Sequence, residues 1–430
     1  MTGILAVVLA GGRGKRMDIL CNVRPKPALS FAGGFRVIDF SLSNCVHSGI
    51  RSIAVLTDYQ RSQMAEYLNR WRLANASLIN FDILDPEKGS YKGTADAVYQ
   101  NLGYLCKSDA EAVLVLAGDH VYKMDYRKMI AFHQQAEADA TVGVVTVPIE
   151  QTHRFGTVRL DSNSRITDFV EKSENSPSNL ASMGIYIFNK DFLMGRLAED
   201  AVRPTSPHDF GYAILPDMVR RDRVFAYPFQ GYWQDIGTKA AYYAANMELL
   251  GPEPSFSLDD QWHILTQKPD LALTQKVNQG SIQNSLVSPG CVIKGRVENS
   301  ILSPGVWIEE KAVVRDSILM SGVSIGYHSW VDRCILDEDV NIGRYCYVGF
   351  DAGPVAAEPG ITVVGEGATI PNHTAVGRNC TVMPHAEPAD FCGSAVPSGT
   401  AISSLPEEYQ VRRNIGSAEV RADVLIGIRH

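Results

Sequence analysis

The chain has 430 residues, which at about 150 residues per domain implies two to three domains and a sizeable buried core. Its 40 Lys and Arg against 48 Asp and Glu give a formal charge of −8, so no global field favours nucleic acid or an anionic membrane surface, and any phosphate site has to be local. Apolar residues at 45%, charged residues at 20%, and only 36 Gly and 21 Pro exclude a disordered, collagen-like or coiled-coil chain.

From Ile4 to about Pro228, short β-branched runs alternate with helical patterns. The runs predict strands over 5–9, 53–56, 113–117, 141–147, 167–170 and 185–188. Continuous apolar strands are buried on both faces, so the reading is an α/β, doubly wound (Rossmann-like) domain with a parallel or mixed sheet between helices. Helices are predicted over 95–105, introduced by Gly93-Thr94, and over 124–137, introduced by Asp125. A further helical stretch covers 240–250, followed by a segment over 251–260 containing Pro and Asp.

A different grammar begins near residue 281. Leu302, Leu319 and Leu336 are seventeen apart, as are Ile308, Ile325 and Ile342, and Val314, Val331 and Val348. Steps of six, six and five residues per turn are the signature of hexapeptide repeats, in which stacked aliphatics fill a parallel β-helix. The pattern is interrupted by a loop over 351–358 and resumes at Val364, Ile370, Val376 and Val382. The expected domains are therefore 1–250 and 281–430, with 251–280 as linker.

No run reaches the roughly 18 apolar residues needed to span a bilayer, and the start of the chain lacks the pattern of a signal or transit peptide. A cytoplasmic chain without membrane or nucleic-acid partners is expected. The eight cysteines are dispersed, with no CxxC pair, and read as reduced, mostly buried thiols.

Chemistry concentrates at three places. The first strand opens into Gly11-Gly12-Arg13-Gly14-Lys15-Arg16, followed by Lys26. Such a turn is often only a turn, but glycines let backbone N–H groups converge on phosphate, and Arg16 and Lys26 add fixed cations. Asp119, in Gly118-Asp119-His120, stands at the carboxyl edge of a strand, where α/β ligands bind. It is either a hard oxygen ligand for Mg²⁺ or the cap of a following helix. A second carboxylate, Asp235, lies in a cluster with no helical or strand period, Tyr232 to Thr238. If the two converge they make a metal site. Glu171-Lys172 is either functional or a solvated pair, and Ser182, with Tyr186, either functional or a turn hydroxyl.

These residues resemble a known family. Leu9-Ala10-Gly11-Gly12-Arg13-Gly14, Lys26-Pro27-Ala28, Gly93-Thr94-Ala95-Asp96-Ala97, Ala117-Gly118-Asp119-His120, Ala181-Ser182-Met183-Gly184, His208-Asp209-Phe210-Gly211 and Trp233-Gln234-Asp235-Ile236-Gly237-Thr238 are similar to glucose-1-phosphate adenylyltransferases over nearly the whole chain. The resemblance implies a nucleotidyltransferase domain joined to a left-handed β-helix, and transfer of AMP from ATP to glucose 1-phosphate for glycogen or a related α-glucan. It implies that Gly11, Gly12, Arg16 and Lys26 hold the triphosphate, with adenosine near Tyr91, Gly93, Thr94 and Asp96. Asp119 and Asp235 would ligate Mg²⁺. Glu171, Lys172, Ser182, Tyr186, Asp209, Phe210 and Trp233 would form the sugar-phosphate pocket. A homo-oligomer, a tetramer in that family, and small-molecule effectors are further implications.

Some positions depart from the family's pattern: Val23, Pro25, Asp58 for a Gln, Ser90 for a Trp, Ser173 for a Pro, and Tyr212-Ala213 after the DFG triplet. Several of these are tied in the family to activator response, so the expectation is a competent enzyme with altered or weak activator dependence. Three alternatives stand beside it: another nucleotide or sugar phosphate, a non-catalytic regulatory subunit, and an acyltransferase built on the solenoid. The repeats offer no obvious general-base histidine for the last, since His328 is expected on a solvent-facing turn.

Overall fold

The computed structural model describes residues 3–403 apart from 88, 177, 255, 259–260, 268–275, 278–279 and 351–359. The chain divides into two units, Met1–Ala272 and Leu273–His430.

The first unit is built on a nine-stranded mixed sheet. Its strands are β1 (Ile4–Leu9), β4 (Ser52–Leu56), β5 (Asn80–Leu84), β6 (Ala112–Ala117), β8 (Ala140–Thr146), β9 (Gly156–Leu160), β10 (Ile166–Glu171), β11 (Leu180–Asn189) and β12 (Val224–Pro228). Two small ladders complete the set: β2 (Ser30–Phe31) with β3 (Phe35–Arg36), and β7 (His120–Tyr122) with β13 (Trp233–Asp235). Across the sheet β5, β4, β1 and β6 run parallel. The long β11 is antiparallel to both β6 and β8, and β12 returns parallel to β8. The β9–β10 hairpin joins the first half of β11 through Ala181 and Thr157.

The strands read as unbroken apolar runs because alternate residues feed two separate cores. Ala6 and Val8 of β1, with Leu114 and Leu116 of β6, pack against α1 (Val37–His47), α2 (Arg61–Ala74) and α5 (Tyr126–Gln135). Leu5, Val7, Val113 and Val115 point the other way, onto α3 (Thr94–Gln100), α4 (Leu102–Lys107), α6 (Lys190–Ala201) and α7 (Leu215–Arg221). The helix expected over 95–105 is thus two helices, broken where Asn101 leaves helical geometry and turns its side chain onto the carbonyl of Ala97. The last helix of this unit, α8 (Lys239–Glu248), is capped by Thr238.

Part of the expected linker 251–280 belongs to the first unit. Trp262 Nε1 donates to Asn44 Oδ1 at 2.8 Å, Leu265 N to Ser43 Oγ at 2.8 Å, and Trp71 Nε1 to the Leu265 carbonyl at 3.3 Å, strapping this segment onto α1 and α2.

The second unit is a parallel β-helix of three sheets, with six, seven and seven short strands. The three expected series stack in register: Ile308 on Ile325 on Ile342, Val314 on Val331 on Val348, and Leu302 on Leu319 on Leu336. They continue into Ile370, Val376, Val364 and Val382, and the interior cluster is aliphatic. The loop expected over 351–358 lies outside the described residues. His328 is exposed on a turn with φ of 59°. All eight cysteines are free, six of them buried. Among the described residues, no helix is long and apolar enough to cross a membrane.

Candidate active site

The cleft forms at the carboxyl ends of β1, β4 and β6, where the sheet order reverses between β1 and β6. Beyond β1 the glycine loop lies against Asp58. A Cβ on Gly11 would come within 2.8 Å of the Asp58 Cβ, so only glycine lets the two segments approach this closely. The loop, Leu56, Asp58, Tyr91, Gly93, Thr94, Ala117, Asp119 and Asp209 line a cavity of 320 Å³. A second cavity of 220 Å³ shares Gly12 and Asp119 with it and adds Lys15, Arg16, Lys26 and Gly237.

Asp119 leaves the end of β6 and leads into β7, not into a helix, so it is no helix cap. The cluster around Asp235, which shows no strand period, is nonetheless a strand: β13 pairs with β7 so that Asp235 lies opposite His120. That pairing brings the two carboxylates together. Lys26, held on a short 3₁₀ turn after Pro25, places its Nζ 3.0 Å from Asp119 Oδ2 and 3.0 Å from Asp235 Oδ1. His120 Nε2 stands 3.5 Å from Asp119 and 3.9 Å from Asp235. Arg154 Nη2 reaches the other oxygen of Asp235 at 3.3 Å.

Burial alone would raise both acids, but the Lys26 ammonium and His120 outweigh it and hold Asp119 and Asp235 below the usual carboxylate range. Burial would likewise lower Lys26, and the two carboxylates reverse that, keeping it charged. A cation fits between the two acids, because one already sits there. Among the described residues no group of three or more His, Cys, Asp or Glu side chains could enclose an ion. Two carboxylates completed by water and phosphate oxygens are the donor set that suits Mg²⁺, which seldom takes an all-protein cage.

Among the residues expected to form the sugar-phosphate pocket, Lys172 Nζ pairs with Glu171 Oε1 at 3.1 Å. Glu171 is half-buried, not a solvated surface acid: burial raises its carboxyl, with Lys172 opposing, and a Cβ on Gly156 or Gly211 would lie 2.4 Å from its Oε2. Ser182 Oγ donates to the Tyr186 hydroxyl at 3.3 Å, across a bulge in β11 where Gly184 adopts φ of +66°. A side chain there would be strained and would meet Ala117 and His120, so this glycine lets β11 pass close behind the acids. The Trp233 ring stands edge-on to His120 at 5.1 Å and to Phe155 at 5.4 Å. Trp233 Nε1 and His120 Nδ1 are buried and have no hydrogen-bond partner among the described residues.

The structure therefore gathers Gly11, Gly12, Arg16, Lys26, Tyr91, Gly93, Thr94 and Asp119 along the two cavities, with Asp235 joined to them through Lys26. Three other residues sit differently. Asp96 lies behind the cleft, accepting from Lys92 N at 2.8 Å and Gln100 Nε2 at 2.7 Å. Phe210 is in the core, its ring stacked on Phe188 at 5.6 Å. Asp209 lines the larger cavity, accepting from Thr94 Oγ1 at 2.8 Å and Gly211 N at 2.9 Å. Sequence reasoning assigned no role to Arg154 or His120. His120 could have been found from its place beside Asp119, whereas Arg154 carries no local signal.

Comparisons with known proteins find matches over both parts of the chain. Residues 5–251 match the nucleotidyl transferase family, and residues 270–370 match the GlmU-like C-terminal hexapeptide family. A glucose-1-phosphate adenylyltransferase of Thermomicrobium roseum is 42% identical over 424 residues, covering 94% of this chain and 99% of that protein. Proteins of the same name from Acetivibrio thermocellus (40% identical, 93% of this chain, 97% of that protein) and Methylococcus capsulatus (42%, 87% and 88%) are comparably similar.

Proposed function

The chain belongs to the glucose-1-phosphate adenylyltransferase family, and from that membership we propose its reaction: transfer of AMP from ATP to α-D-glucose 1-phosphate, giving ADP-glucose and pyrophosphate. The observation that carries this reading is the meeting of Asp119 and Asp235 on the Lys26 ammonium, 3.0 Å from each, beside the glycine loop.

A phosphate oxygen of the sugar phosphate attacks the α-phosphorus of ATP, and both partners are anions. Catalysis is therefore mainly positioning and charge cancellation. Backbone N–H groups of Gly11 and Gly12 hold the triphosphate, with Arg16 and Lys26 facing the departing pyrophosphate. Asp119 and Asp235 would hold Mg²⁺, which would supply positive charge to offset the repulsion between the two anionic substrates. Adenosine occupies the 320 Å³ cavity beside Tyr91, Gly93 and Thr94. Glu171, Ser182 and Asp209 offer polar groups that a wrong sugar leaves unpaired, which is how such sites reject analogues.

The product serves α-glucan synthesis in the cytoplasm, and the chain works as a homo-oligomer, a tetramer. Asp58 pins the segment before Tyr91 by accepting from Tyr91 N at 3.3 Å, which favours weak dependence on activators. Pyrophosphate release by the purified chain with ATP and glucose 1-phosphate, set against UTP and mannose 1-phosphate, tests the assignment. Asp119→Asn is expected to lower turnover roughly a hundredfold or more, or about 3 kcal/mol. Near-normal turnover in that variant would remove Asp119 from the chemistry. Large stimulation by fructose 1,6-bisphosphate would defeat the weak-activator reading.

A further inference from the structure

We propose that Arg154 is a substrate-binding residue whose guanidinium, together with the Lys172 ammonium, grips the phosphate of the sugar phosphate. The inference rests on the reaction proposed above. Arg154 ends the 3₁₀ turn Ile149–Arg154, one residue before Phe155, whose carbonyl accepts from Lys172 N at 3.0 Å. Gly156 then pairs with Glu171 in the β9–β10 hairpin. The two cations thus leave from neighbouring strand ends.

Both rest on carboxylates. Lys172 lies 3.1 Å from Glu171, and Arg154 lies 3.3 Å from Asp235 Oδ2. Asp235 already has its other oxygen on Lys26. At 3.3 Å the Arg154 contact is longer than the ~2.7–2.9 Å typical of charge-assisted hydrogen bonds. It also uses one donor of the five that a guanidinium carries; among the described residues the others have no hydrogen-bond partner. That open fork, 20% exposed, matches two phosphate oxygens at once, which an ammonium cannot do.

Position decides which phosphate. Neither Arg154 nor Lys172 lines the two cavities that hold the glycine loop, Arg16 and Lys26. Arg154 approaches Asp235 at the oxygen opposite the one Lys26 takes, with its guanidinium 5.2 Å over the Phe155 ring and with Trp233 and His120 continuing that aromatic wall. A phosphate held there sits against the acid pair from the acceptor's side, as the attacking group must.

The experiment compares wild type, Arg154→Gln and Arg154→Lys as full-length chains. For Arg154→Gln the KM for glucose 1-phosphate should rise roughly tenfold or more, while that for ATP moves less than about threefold. Calorimetric titration of glucose 1-phosphate beside an α,β-methylene ATP analogue should weaken by the same factor. Arg154→Lys should recover part of the loss, and the melting temperature should not change. An unchanged KM and titration would overturn the proposal, as would a fall in kcat alone, which marks a brace for Asp235 and nothing more. Wild-type turnover separates the two readings. Its absence sinks the reaction itself, whereas turnover with a silent Arg154→Gln sinks only the role of Arg154.

Discussion

In the solenoid, a residue's job follows from its neighbour one coil away; in the cleft, it follows from partners 81, 93 or 209 positions distant, as with Arg154 and Asp235, Lys26 and Asp119, and Lys26 and Asp235. The solenoid also repeats itself, so Ile325 has near-equivalents above and below in Ile308 and Ile342. Lys26 has none. Stability in one region is a sum of similar increments, while function in the other hangs on single atoms.

The sharpest way to break this contrast is Lys26→Gln. Removing the buried ammonium leaves Asp119 and Asp235 facing each other, so the variant should lose at least roughly a hundredfold in turnover and about 3–5 kcal/mol in stability. A stable, active variant would show that the acids do not depend on it. Ile325→Ala should cost ~2–4 kcal/mol by leaving a cavity in the aliphatic column, read as a lower urea midpoint, while turnover stays near wild type. A comparable loss of turnover would mean that the solenoid is not a separate stability element.

The third effect is a slope, small over any single pH step. Burial pushes the carboxyl of Asp39 up to about 7, against hydrogen bonds from the Tyr67 hydroxyl at 2.5 Å and Arg36 N at 2.9 Å. A carboxyl whose folded value is raised favours the folded chain in acid, and that contribution fades as pH climbs from the ordinary carboxylate range through about 7. Asp39→Asn should lack this fall, which is at most about 1.4 kcal/mol per pH unit. Parallel urea midpoints for the two proteins across that interval would refute it.

The same contrast governs how much of the molecule is legible in the sequence. Stacked Leu, Ile and Val at a fixed spacing state their own geometry, and the series holds even past the interruption, where Val348 pairs with Val376. The burial of β1 on both faces is equally plain, because an apolar run of that length, closed by Gly11-Gly12, is what a central strand between two helical layers requires. The individual site residues are recognisable by type, but their meeting is not, because it depends on β13 pairing with β7, and Trp233-Gln234-Asp235 gives no period to announce a strand. Asp96 and Phe210 show the converse: their motif is legible, yet their side chains serve Lys92, Gln100 and the core. Arg154 escapes notice because nothing beside it in the chain says that it faces an acid 81 positions on.

The internal counter-ion has one more consequence. Many small metalloproteins cannot assemble until their ion arrives, because bare acids or thiolates repel. Here the Lys26 ammonium offsets one of the two charges of the acidic pair within the fold itself. The two acids can therefore come together in the folded chain on side chains of the chain itself, with no dissolved ion needed to bring them within reach of each other.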